Sequence, residues 1–135
     1  MATPYKVEVV TPEGPAFRGE AEMVVVPGAA GELGILAHHA PLISSLKPGR
    51  MSLTDAEGER MEWATAEGFI EVRKNEALVL VSEAVRREEI DAGEARARLE
   101  QARAALERAQ SGDGDVFRAQ REEKFAEALL TVAEG

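Results

Sequence analysis

Tyr5, Val7 and Val9 alternate with Lys6 and Glu8, a period of two that predicts a half-buried strand over residues 5–10. Residues 11–15, Thr-Pro-Glu-Gly-Pro, predict a turn. The β-branched run at 22–26 predicts a strand covered on both faces. Short strands are expected at 34–37 and 42–46, either side of a His-His-Ala-Pro bend, and Lys47-Pro48-Gly49 turns the chain again. Residues 50–54 and 60–65 flank Asp55-Ala56-Glu57-Gly58, and 68–72 and 77–81 flank Arg73-Lys74-Asn75-Glu76, so each pair reads as a hairpin. Many short strands at this spacing predict an antiparallel sandwich or flattened barrel. Trp63 and Phe69 lie on these strands and are expected in its core.

Near Ala84 the period changes. Ala92, Ala95, Leu99, Ala102, Leu106 and Ala109 recur at intervals of three and four, which predicts a helix with an Ala-rich seam. Ser111-Gly112-Asp113-Gly114-Asp115 breaks it, with Gly112 suited to a left-handed cap and Asp113 or Asp115 to starting the next helix. Residues 116–133 predict that second helix, with Phe125, Leu129 and Val132 on one stripe. The organisation is therefore a strand-built domain over 1–84 and an antiparallel helical hairpin over 85–135. An Ala-rich hairpin gains little stability alone. It is expected to lie against its own sandwich or another protein, a balance that permits a conformational switch.

Composition narrows the function. The 135 residues make one domain, or one with a small appendage. An apolar fraction of 44% argues against disorder, and only 4% aromatics means an aliphatic core. A net charge of −9 argues against nucleic acid as a partner, since phosphate contacts need clustered Lys and Arg. The absence of cysteine excludes disulfides, thiolate metal sites and cysteine nucleophiles. The N-terminus lacks the apolar stretch of a signal peptide, and no window approaches the ~20 apolar residues of a membrane span. A cytosolic chain is expected, with no direct membrane insertion and any membrane association made through partners.

The front half carries Gly31-Glu32-Leu33-Gly34-Ile35-Leu36, then His39-Ala40-Pro41-Leu42, Leu46-Lys47-Pro48-Gly49 and Gly68-Phe69-Ile70-Glu71-Val72. With the Ala- and Arg-rich hairpin behind it, this order resembles the epsilon subunit family of bacterial F-type ATP synthases, from about Tyr5 to the C-terminus. The resemblance implies a flattened β-sandwich of about ten short antiparallel strands followed by an antiparallel α-helical hairpin. It implies a non-catalytic rotor subunit in the central stalk of a proton-translocating synthase. Its partners would be the gamma subunit, the c-subunit ring and the alpha/beta catalytic hexamer, and its place the cytoplasmic face of the bacterial plasma membrane. The sandwich would couple ring to shaft, and the helices would inhibit ATP hydrolysis.

The resemblance also assigns residues. Glu32, Gly34, His39 and Pro41 are expected at the interface with the c ring and gamma. His38 departs from the family pattern, since many members carry glycine there. Arg96, Arg98, Arg103, Arg108, Arg118 and Arg121 would meet an acidic segment of the beta subunits; read alone, they alternate with glutamates as on any solvated helix face. In some members an Ile-Asp-x-x-Arg-Ala segment helps bind a regulatory ATP. Here Ile90-Asp91-Ala92-Gly93-Glu94-Ala95 keeps Asp91 but sets Glu94 where the arginine stands. Gln101, Phe125 and Leu129 fall on three further arginine positions. A carboxylate repels phosphate, which disfavours ATP as a cofactor, and an Asp91-x-x-Glu94 capping box explains the segment structurally. A two-residue shift in the alignment would offer Arg96-Ala97 instead. No catalytic or metal-ligating residue is expected: adjacent His38 and His39 on extended chain would point to opposite faces. Two other readings remain at this level, a sandwich with a coiled-coil hairpin acting as an adaptor or dimerisation module, and an enzyme using His39 and Glu32 as acid and base.

Overall fold

The computed structural model describes residues 3–135. Nine strands come first: β1 (Tyr5–Thr11), β2 (Gly14–Gly28), β3 (Gly31–Leu36), β4 (Leu42–Leu46), β5 (Gly49–Asp55), β6 (Arg60–Thr65), β7 (Gly68–Arg73), β8 (Glu76–Val81) and β9 (Ala84–Arg86). A 3-10 turn (Arg87–Glu89) leads to helices α1 (Ala92–Gln110) and α2 (Val116–Glu134). The fold is the expected β-sandwich followed by a helical hairpin, with nine strands where the resemblance implies about ten.

Pairing runs β1-β8-β7-β4-β2-β5-β6-β9, with β3 added beside β2 and β1 returning to pair with β2. All of these pairings are antiparallel except β1–β8, which is parallel. The strand β2 belongs to both layers. Its first half pairs with β1, from Gly14 opposite Thr11 to Ala21 opposite Tyr5. Its second half pairs with β3 and β5 after a register shift between Ala21 and Met23. That irregularity lets one strand turn the corner between packed sheets. The early half of β2 was not legible in the sequence, where Pro12, Gly14, Pro15 and Gly19 suggest only a turn and loop.

The layers close over Tyr5, Val7, Val9, Val24, Val26, Ile35, Met51, Leu53, Trp63, Ile70, Val72 and Val79. Period-two alternation selects them: on β7, Ile70 and Val72 point inward. Phe69 therefore faces out and is 57% exposed, against the expectation that it joins the core. On the 22–26 run only Val24 is fully covered together with Val26; Glu22, Met23 and Val25 are half-buried.

The hairpin lies folded on the outer face of β5 and β6. A second apolar cluster joins Ala64 and Ala66 to Ala95, Phe125, Ala128, Leu129 and Val132. Each helix begins on an aspartate cap; of the expected Asp91–Glu94 capping box the structure shows the Asp91 half, and of Asp113 and Asp115 it uses Asp115. Asp91 accepts a hydrogen bond from the Glu94 amide at 3.0 Å, and Asp115 from the Arg118 amide at 3.1 Å. The α1 terminus closes with Gly112 at φ +95°; Gly112 N donates to Ala109 O and Asp113 N to Arg108 O, carbonyls of the last helical turn.

Candidate functional site

The sandwich offers a surface rather than a cleft. The turn between β2 and β3 needs Gly31, whose φ of +138° is open to glycine and strained for other residues. From there Glu32, Gly34 and Leu36 alternate outward while Ile35 is fully buried. Gly34 has an ordinary φ, and a Cβ built on it would meet nothing within 4 Å. Nothing inside the chain requires glycine there, so the bareness is a property of the outer surface.

The far end of β3 carries the histidine bend. His38 takes φ +63°, the left-handed region, and its amide donates to Asn75 Oδ1 at 2.6 Å. Glycine would adopt this region without strain. The His39 amide donates to Leu36 O at 3.2 Å, and its ring Nδ1–H donates to Ala40 O at 2.8 Å. His39 and Pro41 are exposed, as are Glu32 and Gly34. Glu32 stands near the start of β3 and His39 beyond its end, with four residues at about 3.3 Å each from Glu32 to Leu36 before the chain turns, so the two are not brought together as an acid–base pair. Among the described residues no group of three His, Asp or Glu side chains is close enough to hold a metal.

Between the two bends runs an apolar strip that the sequence reading missed. Ile43 is 72% exposed, Phe69 57% and Leu80 44%. Phe69 stands opposite Leu80 across β7 and β8 and opposite Ser45 across β4 and β7; Ile43 lies two residues before Ser45 on the same face. Ala29 N donates to Ser45 O at 3.0 Å, which moors the glycine turn beside the strip. Strict alternation against Ile70 and Val72 was the available signal for an outward Phe69.

On the hairpin, most of the arginines singled out above are engaged within the chain. Arg98 pairs with Glu83 at 2.9 Å, Arg121 with Glu67 at 3.3 Å and Arg118 with Glu122 at 3.8 Å. Arg103 lies 3.5 Å from Glu123 and 3.7 Å from Glu127, and Arg96 4.0 Å from Glu134. Hydrogen bonding to Glu83 holds the Arg98 guanidinium above its ordinary pKa. Arg108 is exposed in the last turn of α1. Asp91 spends a carboxylate oxygen on its helix cap and has Glu94 beside it, so these residues do not fit an ATP phosphate. Among the described residues no helix is long and apolar enough to cross a membrane.

Comparison with known proteins agrees with this architecture. Residues 4–87 match the family described as ATP synthase, Delta/Epsilon chain, beta-sandwich domain. The chain is 42% identical over 128 residues to the ATP synthase epsilon chain of Xanthomonas campestris pv. campestris, covering 94% of this chain and 89% of that one. It is 39% identical over 130 residues to the ATP synthase epsilon chain of Persephonella marina, covering 96% of each. A chain in the Euglena gracilis mitochondrial ATP synthase structure (OSCP/F1/c-ring) superposes with a TM-score of 0.81 over 97% of this chain and 82% of its own. Identity there is 20%, which speaks to the fold alone.

Proposed function

The chain belongs to the ATP synthase epsilon chain family, and from that premise we propose that it is a non-catalytic central-stalk subunit of a bacterial F-type synthase. The sandwich couples the c-subunit ring to gamma, and the hairpin restrains ATP hydrolysis when it leaves the sandwich for the alpha/beta hexamer. In this reading the subunit is peripheral, on the cytoplasmic face of the membrane.

One observation carries the reading: the strip Ile43–Phe69–Leu80, exposed beside the glycine turn. An outward Ile and Phe on neighbouring strands make a contiguous apolar patch, and such patches mark interaction sites. Gamma is the occupant proposed for the strip. The c ring is proposed for the end at Glu32 and Gly34, where a carboxylate and a bare glycine suit polar loops approaching closely. His39 and Pro41 form the rim at the other end of β3. Residues 1–84 and 85–135 act as two units in this scheme, one anchoring and one regulatory. Arg98 and Arg121 leave Glu83 and Glu67 as the hairpin departs, and together with Arg96, Arg103, Arg108 and Arg118 they are the residues proposed to meet acidic beta segments.

The test is capture of the gamma subunit by the intact chain, set against Phe69→Glu and Ile43→Glu. The reading expects stoichiometric capture by the intact chain and loss by both variants. Equal capture by all three removes gamma from the strip, and a self-associating chain with no affinity for gamma favours the adaptor reading.

A further inference from the structure

Three arginines cross the seam between hairpin and sandwich. Arg98 on α1 grips Glu83 with both Nη atoms, Nη1 to Oε2 at 3.1 Å and Nη2 to Oε1 at 2.9 Å. Its guanidinium carbon also sits 4.8 Å from the centre of the Phe125 ring, so one side chain binds the sandwich and both helices. Arg121 on α2 places Nε 3.3 Å from Glu67 Oε2. In the opposite sense, Arg50 on β5 donates Nη2 to the Thr131 carbonyl in the last turn of α2 at 3.1 Å.

The acceptors are built for this. Glu67 and Glu83 occupy facing turns at one end of the sandwich, held together by Ala66 N to Glu83 O at 2.9 Å and Ser82 N to Glu67 O at 3.1 Å. Two carboxylates side by side repel each other unless cations stand between them. The last turn of α2 has no basic residue of its own, and Arg50 brings a positive charge to its negative end, sharing the Thr131 carbonyl with the Gly135 amide. The apolar contact beneath is mostly alanine, Ala64, Ala66, Ala95 and Ala128, with Phe125, Leu129 and Val132 as its larger members. Small side chains bury little area, and a docking balance that is close to even is one that a few exposed ion pairs shift.

We propose that Arg50, Arg98 and Arg121 form an electrostatic clamp that holds the hairpin closed on the sandwich and releases it when ions or a charged partner compete for Glu67 and Glu83. The inference rests on the reading above that the hairpin moves. Both ion pairs are reachable by solvent, with Arg98 40% and Glu83 38% exposed and Arg121 46% and Glu67 42%. Ions in solution therefore screen them, and closure weakens as salt rises.

The chain has no cysteine, so spin labels can be attached without background at Glu57→Cys on the sandwich and Gln110→Cys on the hairpin. The distance distribution between them reports docking in the full chain, and Trp63 emission reports an intact sandwich core. The clamp expects one population at low salt, and a second, undocked population that grows several-fold in about 1 M salt. Glu67→Gln with Glu83→Gln should show that second population already at low salt, and the exchange Arg98→Glu with Glu83→Arg should return most of the chain to the docked state. Identical distributions for wild type and the double variant at every salt overturn the proposal, as does an exchange variant no more docked than Arg98→Glu alone. If the double variant undocks in isolation while no variant's hairpin moves on assembly with gamma, the clamp stands and the moving-hairpin reading falls. If the distribution is insensitive to these charges but shifts on assembly, the reverse holds.

Discussion

The Tyr5 hydroxyl donates a 2.6 Å hydrogen bond to the Ile35 carbonyl, tying β1 in one layer of the sandwich to β3 in the other. Because Ile35 is the inward residue between Gly34 and Leu36, this bond sets the height at which the outward face of β3 is presented. Burial pushes the hydroxyl from its ordinary 10.0 up to about 12. The fold thus favours the protonated phenol. Its contribution is complete below about pH 10 and lost as pH rises from about 10 to about 12. Tyr5→Phe should cost about 1–2 kcal/mol at pH 8 and flatten the alkaline loss of stability in that window. Urea unfolding at pH 8 and pH 11 checks both.

His38 holds a left-handed backbone that histidine adopts at a cost of about 1–2 kcal/mol. His38→Gly should leave stability unchanged or raise it by up to about 1 kcal/mol, once the extra freedom of glycine in the unfolded chain is subtracted. Asn75→Ala removes the 2.6 Å acceptor of the His38 amide and sets alanine at the left-handed φ of +59° that asparagine tolerates, and should lower stability by about 1–3 kcal/mol. Thermal melts of the two variants should move in opposite directions or, for His38→Gly, not at all.

Gly34 separates folding from assembly. A side chain there meets open space and an ordinary φ, so Gly34→Leu should change unfolding free energy by no more than about 0.5 kcal/mol. If β3 seats against the c ring, the same substitution should abolish proton-driven ATP synthesis in reconstituted vesicles. Normal synthesis with Gly34→Leu would remove this edge from the interface.

Phe125 is the largest apolar side chain in the cluster under the hairpin and is 3% exposed. Phe125→Ala should weaken hairpin docking by about 3–5 kcal/mol, more than a marginal hairpin holds. Amide exchange should accelerate throughout α1 and α2 while the strands that enclose Trp63 keep their protection. Uniform acceleration across strands and helices would show that the two parts unfold as one.

The reading of Phe69 shows where local pattern fails. Aromatic residues on strands are usually inward, and that expectation overrode the alternation that Ile70 and Val72 impose on β7. The strip that came to light is exposed for the same reason, since parity places Ile43 and Leu80 beside Phe69 on the outer face. By contrast, Asp91 and Gly112 were legible in the sequence and the second helix's cap was narrowed to Asp113 or Asp115, of which the structure uses Asp115, because caps are contacts between residues three to five apart. The front half of β2 escaped because its pairing with β1 depends on a neighbouring strand and its own residues carry turn chemistry.

The linear order of residues was enough to specify a strand-rich front, a paired-helix tail and the bends that carry Glu32 and His39. All of these depend on periodicity and turn chemistry within a few residues. The seating of the hairpin on β5 and β6, and the capture of Arg98 and Arg121 by Glu83 and Glu67, emerged only in the folded molecule. Arg98 and Glu83 stand fifteen residues apart, on different elements. An ion pair between separate elements depends on where packing brings each one, and that is a property of the assembled layers.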